Sequence, residues 1–299
     1  MHLPKLTNKQ AEILNLLYRY RFLNRVQIQA LLSHKDYRRI NAWLKDLTEK
    51  QYVKRIYSTH FLEKTKPAIY YLGINGIRYL KQQTITTDDE DEGEQEVPKY
   101  PLTELRKRYR EIDRSEAFRT RSILLADSCI NLKQKTSQRL RYGVATQSDL
   151  ANPRHGYHFL TEAEGIKPNL CIIKHEYTKV EAAAKNSSGK KTNYLLEAFD
   201  PGTPRYSVRY RIGKYIEYVS DDEWECGDND PPPIILLVLP RVTDLIYAKR
   251  RAKKVIDDKY YWDDDDEERP HLRFTTLEQL QEHGITAKIW EEGRKLYAL

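Results

Sequence analysis

Apolar runs are short throughout this chain of 299 residues. None approaches the ~18 residues of a membrane-spanning helix, and the N-terminus lacks the apolar core of a secretory signal. Cysteine is scarce. Cys129, Cys171 and Cys226 are odd in number and far apart, so they form neither a disulfide framework nor a CxxC zinc pair. The expectation is a reduced, cytoplasmic protein with no membrane contact, each cysteine a small buried hydrophobe. No G-x-x-x-x-G-K-[ST] loop cradles nucleotide phosphates, which argues against an ATP-driven motor. The eight histidines are scattered. His155 and His158 lie close without a matching pair elsewhere, and the His-x-His pattern of rolling-circle metal clusters is absent.

What the chain does hold is charge and aromatic rings. Charged residues make up 32% of it and tyrosine occurs 22 times. A chain of this length accommodates two domains of ordinary size. With so many tyrosines, singling out one as a DNA-nicking nucleophile is arbitrary, and most are expected at the rim of a core. The net charge of +7 is unevenly spread: residues 1–83 hold sixteen Lys or Arg against five Asp or Glu, a balance of +11.

Those 83 residues read as a winged helix-turn-helix. Thr7 or Asn8 caps a helix carrying Ile13, Leu14, Leu16 and Leu17, and a short helix follows from Asn24 to Leu32. A longer one runs from Asp36 to Leu47, with Ile40, Trp43, Leu44 and Leu47 at core spacing. Its outer face then carries Tyr37, Arg38, Arg39, Asn41 and Lys45, the surface that a helix-turn-helix lays in the major groove. Arg pairs with guanine there and Asn with adenine. Gln51–Tyr57 and Ala68–Leu72 are rich in β-branched and aromatic residues and read as strands. Lys54, Arg55, Lys64 and Lys66, on and between them, would hold phosphates or reach the minor groove. A helix from Gly73 to Leu80 closes the module. The competing reading of the same surface is a protein contact.

Residues 84–99 contain seven acidic side chains and almost no apolar ones, which predicts a flexible acidic linker. Residues 100–299 read as a second domain. A long basic helical stretch to about Lys135, bent along its course, holds eleven basic and four acidic side chains over 105–142. Short strands follow: Lys167–Ile173, Asn193–Asp200, and the continuous apolar run Ile234–Leu239, which suits a central strand buried on both faces. Helices carrying Tyr206–Tyr218 and Leu245–Ile256 alternate with them. Leu272–Phe274 is a further strand, Thr275 or Thr276 caps a helix, and Ile285–Trp290 forms a last strand. The fold class is α+β or α/β: a winged helix-turn-helix followed by an α/β domain with a mixed sheet.

The N-terminal module resembles the replication-relaxation proteins, as do Pro168-Asn169, the segment from Leu195 to Thr203, the Ile234–Arg241 strand and Lys288-Ile289-Trp290. That family occurs on plasmids and other mobile elements of bacteria and is associated with plasmid replication and DNA relaxation. Its pattern has Pro-Asp, then Glu-x-Asp-x-Gly-Thr, then a helix with Lys before Tyr. Here Asn169 replaces the Asp, Glu197 and Asp200 are separated by one extra residue, and Lys214-Tyr215 fits. The set is also similar to restriction-endonuclease-like folds, whose carboxylates at two strand ends hold Mg²⁺ beside a Lys. Glu197, Asp200 and Lys214 are the candidate catalytic residues on that resemblance. Neutral Asn169, and Phe199 where a Lys would stand, point instead to a degenerate, non-cleaving domain, with Glu197 and Asp200 capping turns or pairing with Arg205, Arg209 or Arg211.

The combined expectation is a site-specific double-stranded DNA-binding protein of a plasmid or mobile element, acting in replication, transfer or its regulation. It needs no cofactor and is more readily a non-enzyme than an enzyme. Its partners would be duplex DNA, a second copy of itself, and replication or transfer proteins. The alternatives are a Mg²⁺-dependent nickase or endonuclease, and a structural or protein-interaction component of a mobile-element or phage assembly.

Overall fold

The computed structural model describes residues 3–57, 67–89, 93–152, 166, 168–178, 181, 189–220, 231–259 and 269–299. It is a mixed α+β protein of two compact units, Met1–Ala126 and Asp127–Leu299.

In the first unit, capping chemistry sets the helices. Thr7 and Gln10 form a reciprocal capping box that starts α1, Asn8–Tyr20, and Asn24 and Gln27 do the same for α2, Arg25–Leu31. Each box satisfies two backbone donors that a helix start leaves without partners. Helix α3, Tyr37–Glu49, buries Ile40, Leu44 and Leu47, as α1 buries Ile13, Leu14 and Leu17 and α2 buries Ile28. Trp43, expected in the core, is only half-buried and meets the His34 ring edge-on at 5.1 Å. Strands β1 (Leu23–Asn24), β2 (Val53–Ile56) and β3 (Ile69–Leu72) make an antiparallel sheet in the order β1-β3-β2. Helix α4, Ile74–Lys81, closes over the chain at Gln51-Tyr52. A Cβ on Gly76 would lie 2.4 Å from the Tyr52 carbonyl oxygen, so only glycine allows this approach.

The acidic stretch is not a featureless linker. Thr84–Asp89 (β4) and Gly93–Pro98 (β5) pair antiparallel, with Ile85 opposite Val97. Composition rules out a core here, but a two-stranded ribbon satisfies its backbone groups without one. The boundary also falls later than expected. Residues 100–126 belong to the first unit through α5 (Leu102–Lys107), a 3₁₀ turn (Arg108–Asp113) and the start of α6 (Glu116–Lys135). The Tyr100 hydroxyl donates to Asn15 Oδ1 at 2.7 Å, and Gln27 Nε2 donates to the Ile123 carbonyl at 2.8 Å.

The strongest tie is ionic. Glu111 is fully buried and accepts from Arg21 Nε at 2.8 Å and Arg21 Nη2 at 3.0 Å. Arg108, 2% exposed, approaches the same carboxylate at 3.5 Å and Glu104 at 3.5 Å. Burial, then the adjacent Arg21 charge, push the Arg108 guanidinium below its ordinary range, and Glu111 and Glu104 oppose them. The Arg21 guanidinium also lies 4.4 Å from the centre of the Phe118 ring.

The second unit is built on a seven-stranded mixed sheet in the order β12-β11-β10-β9-β8-β7-β6. Strands β6 (Leu140–Thr146), β7 (Leu170–Glu176) and β8 (Lys190–Ala198) form an antiparallel meander. Strands β9 (Ile234–Leu239) and β10 (Leu272–Thr276) then continue parallel to β8. Parallel neighbours need crossovers, and these are α8 (Arg205–Ser220) and α9 (Val242–Lys259), the short α7 (Gln147–Leu150) having followed β6. Ile235 to Leu239 are all at 0% exposure. After α10 (Leu277–His283) the chain turns at Gly284, φ 79°, and a strand begins only at Trp290. β11 (Trp290–Glu292) and β12 (Lys295–Tyr297) form a hairpin where the sequence predicts one strand over 285–290.

Glu111→Ala would leave the buried Arg108 and the part-buried Arg21 without their shared anion. The expected loss is about 3–5 kcal/mol of stability, read by chemical denaturation, whereas an exposed control such as Glu49→Ala should shift stability by no more than about 0.5 kcal/mol.

Candidate functional site

The turn between α2 and α3 is locked by short-range polar contacts. Asp36 caps α3 by accepting from the Arg38 N–H at 2.8 Å, and His34 Nδ1 accepts from the Asp36 N–H at 3.1 Å. With Ile40, Leu44 and Leu47 facing inward, Tyr37, Arg38, Arg39, Asn41 and Lys45 are all exposed on α3. Tyr37, Asn41 and Lys45 follow one another at i, i+4 and form a continuous row. The Arg25 and Arg38 guanidinium carbons lie 5.6 and 5.9 Å from the Tyr37 ring centre. Arg39 meets Asp36 and Lys45 meets Glu49 only at 3.9 Å, between exposed partners. Such pairs are weak and are readily exchanged for another anion. Lys54 and Arg55 are exposed on β2, and Arg55 stands 5.0 Å from the Tyr57 ring centre. Lys64 and Lys66 lie outside the described residues.

The candidate catalytic residues meet a different fate. Leu170 pairs with Leu196 across β7 and β8, which brings Asn169 and Glu197 to the same end of the sheet. Asn169 is engaged there in backbone work: Oδ1 accepts from the Ala198 N–H at 2.8 Å, and its own N–H donates to the Leu196 carbonyl at 2.7 Å. Glu197 is buried and faces Arg211 from α8. Arg211 Nε lies 3.1 and 3.2 Å from the two carboxylate oxygens, and Nη2 lies 3.0 Å from Oε2. One guanidinium thus occupies both oxygens.

Tyr215, one turn further along α8, is fully buried. Burial and then the Glu197 charge push its phenol well above the usual range, Arg211 opposing, so it stays protonated and is a poor nucleophile.

Asp200 lies in the turn after β8, where its carbonyl accepts from the Thr203 N–H at 2.9 Å. Lys214 pairs with Glu217 at 3.1 Å and faces a groove between α8 and α9 of about 370 Å³. Arg209, Tyr210, Arg251 and Lys254 share that groove; neither Glu197 nor Asp200 is among its described lining residues.

Glu197 is thus paired with Arg211, and Lys214 with Glu217. Among the described residues, no three His, Cys, Asp or Glu side chains group as metal ligands. His155, His158 and Cys226 lie outside the described residues; Cys129 and Cys171 are buried and in no disulfide. Arg211 stood among three arginines that sequence offered as partners for Glu197, and nothing local ranks it first.

No family model, curated protein or solved structure matches this chain.

Glu197→Ala and Arg211→Ala should each cost about 3 kcal/mol, at the low end for a broken buried pair because both side chains retain slight solvent contact. Glu197→Leu combined with Arg211→Met should cost less than either alone. The check is a denaturation cycle with and without Mg²⁺; stabilisation by Mg²⁺ that Glu197→Ala abolishes would contradict the structural assignment.

Proposed function

We propose that this chain is a site-specific double-stranded DNA-binding protein whose first 83 residues act as a winged helix-turn-helix. One observation carries the reading: an outward row on α3 of Tyr37, Arg38, Asn41 and Lys45, held on a capped helix and not tied down by strong internal pairs. The order α1-β1-α2-α3-β2-β3, with β3 between its two partners, supports it. So does the charge of residues 1–83, since phosphate neutralisation supplies most of the affinity of such modules. In this reading Arg38 and Asn41 contact base edges, while Arg39, Lys54 and Arg55 hold phosphates. Lys64 and Lys66 belong to the same basic set by sequence.

The second unit is read as a restriction-endonuclease-like domain that has lost cleavage. Asn169 and Glu197 at one sheet end support the likeness, and the Glu197–Arg211 pair supports the loss. The resemblance to replication-relaxation proteins supports a role on a plasmid or other mobile element, in replication, transfer or its regulation. A homodimer on a palindromic site and docking to replication or transfer proteins accompany that role. No observation favours the nickase alternative over this reading.

The test is footprinting of the purified chain on DNA from its own locus over a salt series. Arg38→Ala and Asn41→Ala should each weaken specific binding by about 1–3 kcal/mol and relax the sequence preference. Arg55→Ala should weaken all sequences alike and reduce the salt slope by about 1. Equal binding of every sequence, unchanged in the α3 variants, would overturn the reading and favour a protein partner for this surface.

A further inference from the structure

A second concave surface, in the C-terminal unit, shares no residue with the Glu197–Arg211 pair or the α8–α9 groove. It encloses about 740 Å³ between α9 and the β10–β11–β12 edge, within the size range of small-molecule sites. Its apolar lining comes from Ala252 and Ile256 of α9 and Leu272 and Phe274 of β10. Its polar lining is strongly one-sided: six Lys or Arg against Glu292, the one carboxylate among the described lining residues.

The local structure explains why these cations converge. Gly293, φ 59°, is the first central residue of the two-residue turn joining β11 to β12, the position where such hairpins use glycine. That turn sets Arg294 and Lys295 side by side at the rim. Lys249 of α9 donates to Glu291 Oε2 at 2.8 Å and to the Gly293 carbonyl at 3.1 Å, clamping the hairpin to the helix. Arg250 and Lys253 follow on α9, both exposed. Arg250, Lys253, Arg294 and Lys295 make no ion pair with a described residue, in contrast to Lys249.

Glu292 does not offset them. It lies 2.6 Å from His271 Nδ1, and its other oxygen accepts from Arg273 Nε at 3.1 Å. Arg273 in turn stacks 4.0 Å from the centre of the Tyr297 ring. The carboxylate is thus offset by its own neighbours, and among the described residues Arg250, Lys253, Arg294 and Lys295 have no counter-ion.

We propose that this cavity binds a nucleotide, with its phosphates among Arg250, Lys253, Arg294 and Lys295 and its base over the apolar floor. Guanidinium forks and ammonium groups suit phosphate oxygens. The volume and the apolar floor exceed what a bare inorganic anion fills. This chemistry has two sources, a free nucleotide or the terminal nucleotide of a DNA strand. The recognition uses side-chain cations, so the missing glycine-rich phosphate loop does not bear on it. Nor does it rest on the reading of α3.

The experiment is equilibrium binding of a fluorescent adenosine triphosphate to the full chain. Competitors are inorganic triphosphate and a short single-stranded oligonucleotide with or without a 5′-phosphate. Arg250→Glu with Lys253→Glu, and separately Arg294→Glu with Lys295→Glu, should each weaken probe binding about tenfold or more. These positions are exposed, so folding should be unaffected, checked by thermal unfolding. Arg38→Ala with Asn41→Ala should leave probe binding intact, which separates this site from the duplex-reading surface. Competition by neither oligonucleotide assigns a free nucleotide, and preference for the 5′-phosphorylated strand assigns a strand end; inorganic triphosphate competing as well as unlabelled adenosine triphosphate would reduce the site to an anion-binding surface and overturn the proposal. No probe binding up to millimolar concentration, or equal binding by all variants, overturns the proposal.

Discussion

A carboxylate removed from water must find a cation, and this constraint shapes both units. In the first, buried Glu111 is held by Arg21 at the end of α1 and approached by Arg108 of the 3₁₀ turn. The segment carrying Glu111 therefore belongs to the N-terminal unit, and the boundary moves from the acidic stretch into α6. In the second, Glu197 at the end of β8 is held by Arg211 of α8. There the same rule places one guanidinium on both carboxylate oxygens. Removing one member of such a pair leaves a buried charge alone, which is far more destabilising than replacing both by apolar groups.

The positively charged surfaces are the complement of those buried pairs. Arg21, Arg108 and Arg211 are consumed in cohesion, whereas the exposed cations of α3 and β2 make at most weak contacts. An arginine in a basic stretch is thus not evidence of a binding surface until its partners are known. Of the basic residues counted over 105–142, Arg108 serves the interior. The α3 row carries a functional reading because its helix buries the opposite face and leaves the row to solvent.

The elements that were legible in sequence are those governed by short-range rules. Thr7 and Asn24 begin helices because a hydroxyl or amide one turn back meets a bare N–H. The spacing of Ile40, Leu44 and Leu47 orients α3, and the unbroken run Ile234–Leu239 marks a strand buried on both faces. In the acidic stretch low hydrophobicity excludes a core but not a hairpin, and β4 and β5 pair there. The terminal strand starts only at Trp290 because Gly284 keeps the chain in a turn, and the apolar Ile285 and Ile289 are buried without being in a strand.

The sequence by itself determined the helix starts, the inward and outward faces of α3, the central strand and the uneven charge, because each depends on neighbours within a few positions. Only the tertiary structure decided which charges are spent internally. Arg21 meets Glu111 across 90 positions, Arg211 meets Glu197 across 14, and the cavity gathers α9 and the β11–β12 hairpin from segments more than thirty residues apart. Coulombic and hydrogen-bond partners are chosen by distance in space, and many cations stood equally eligible along the chain.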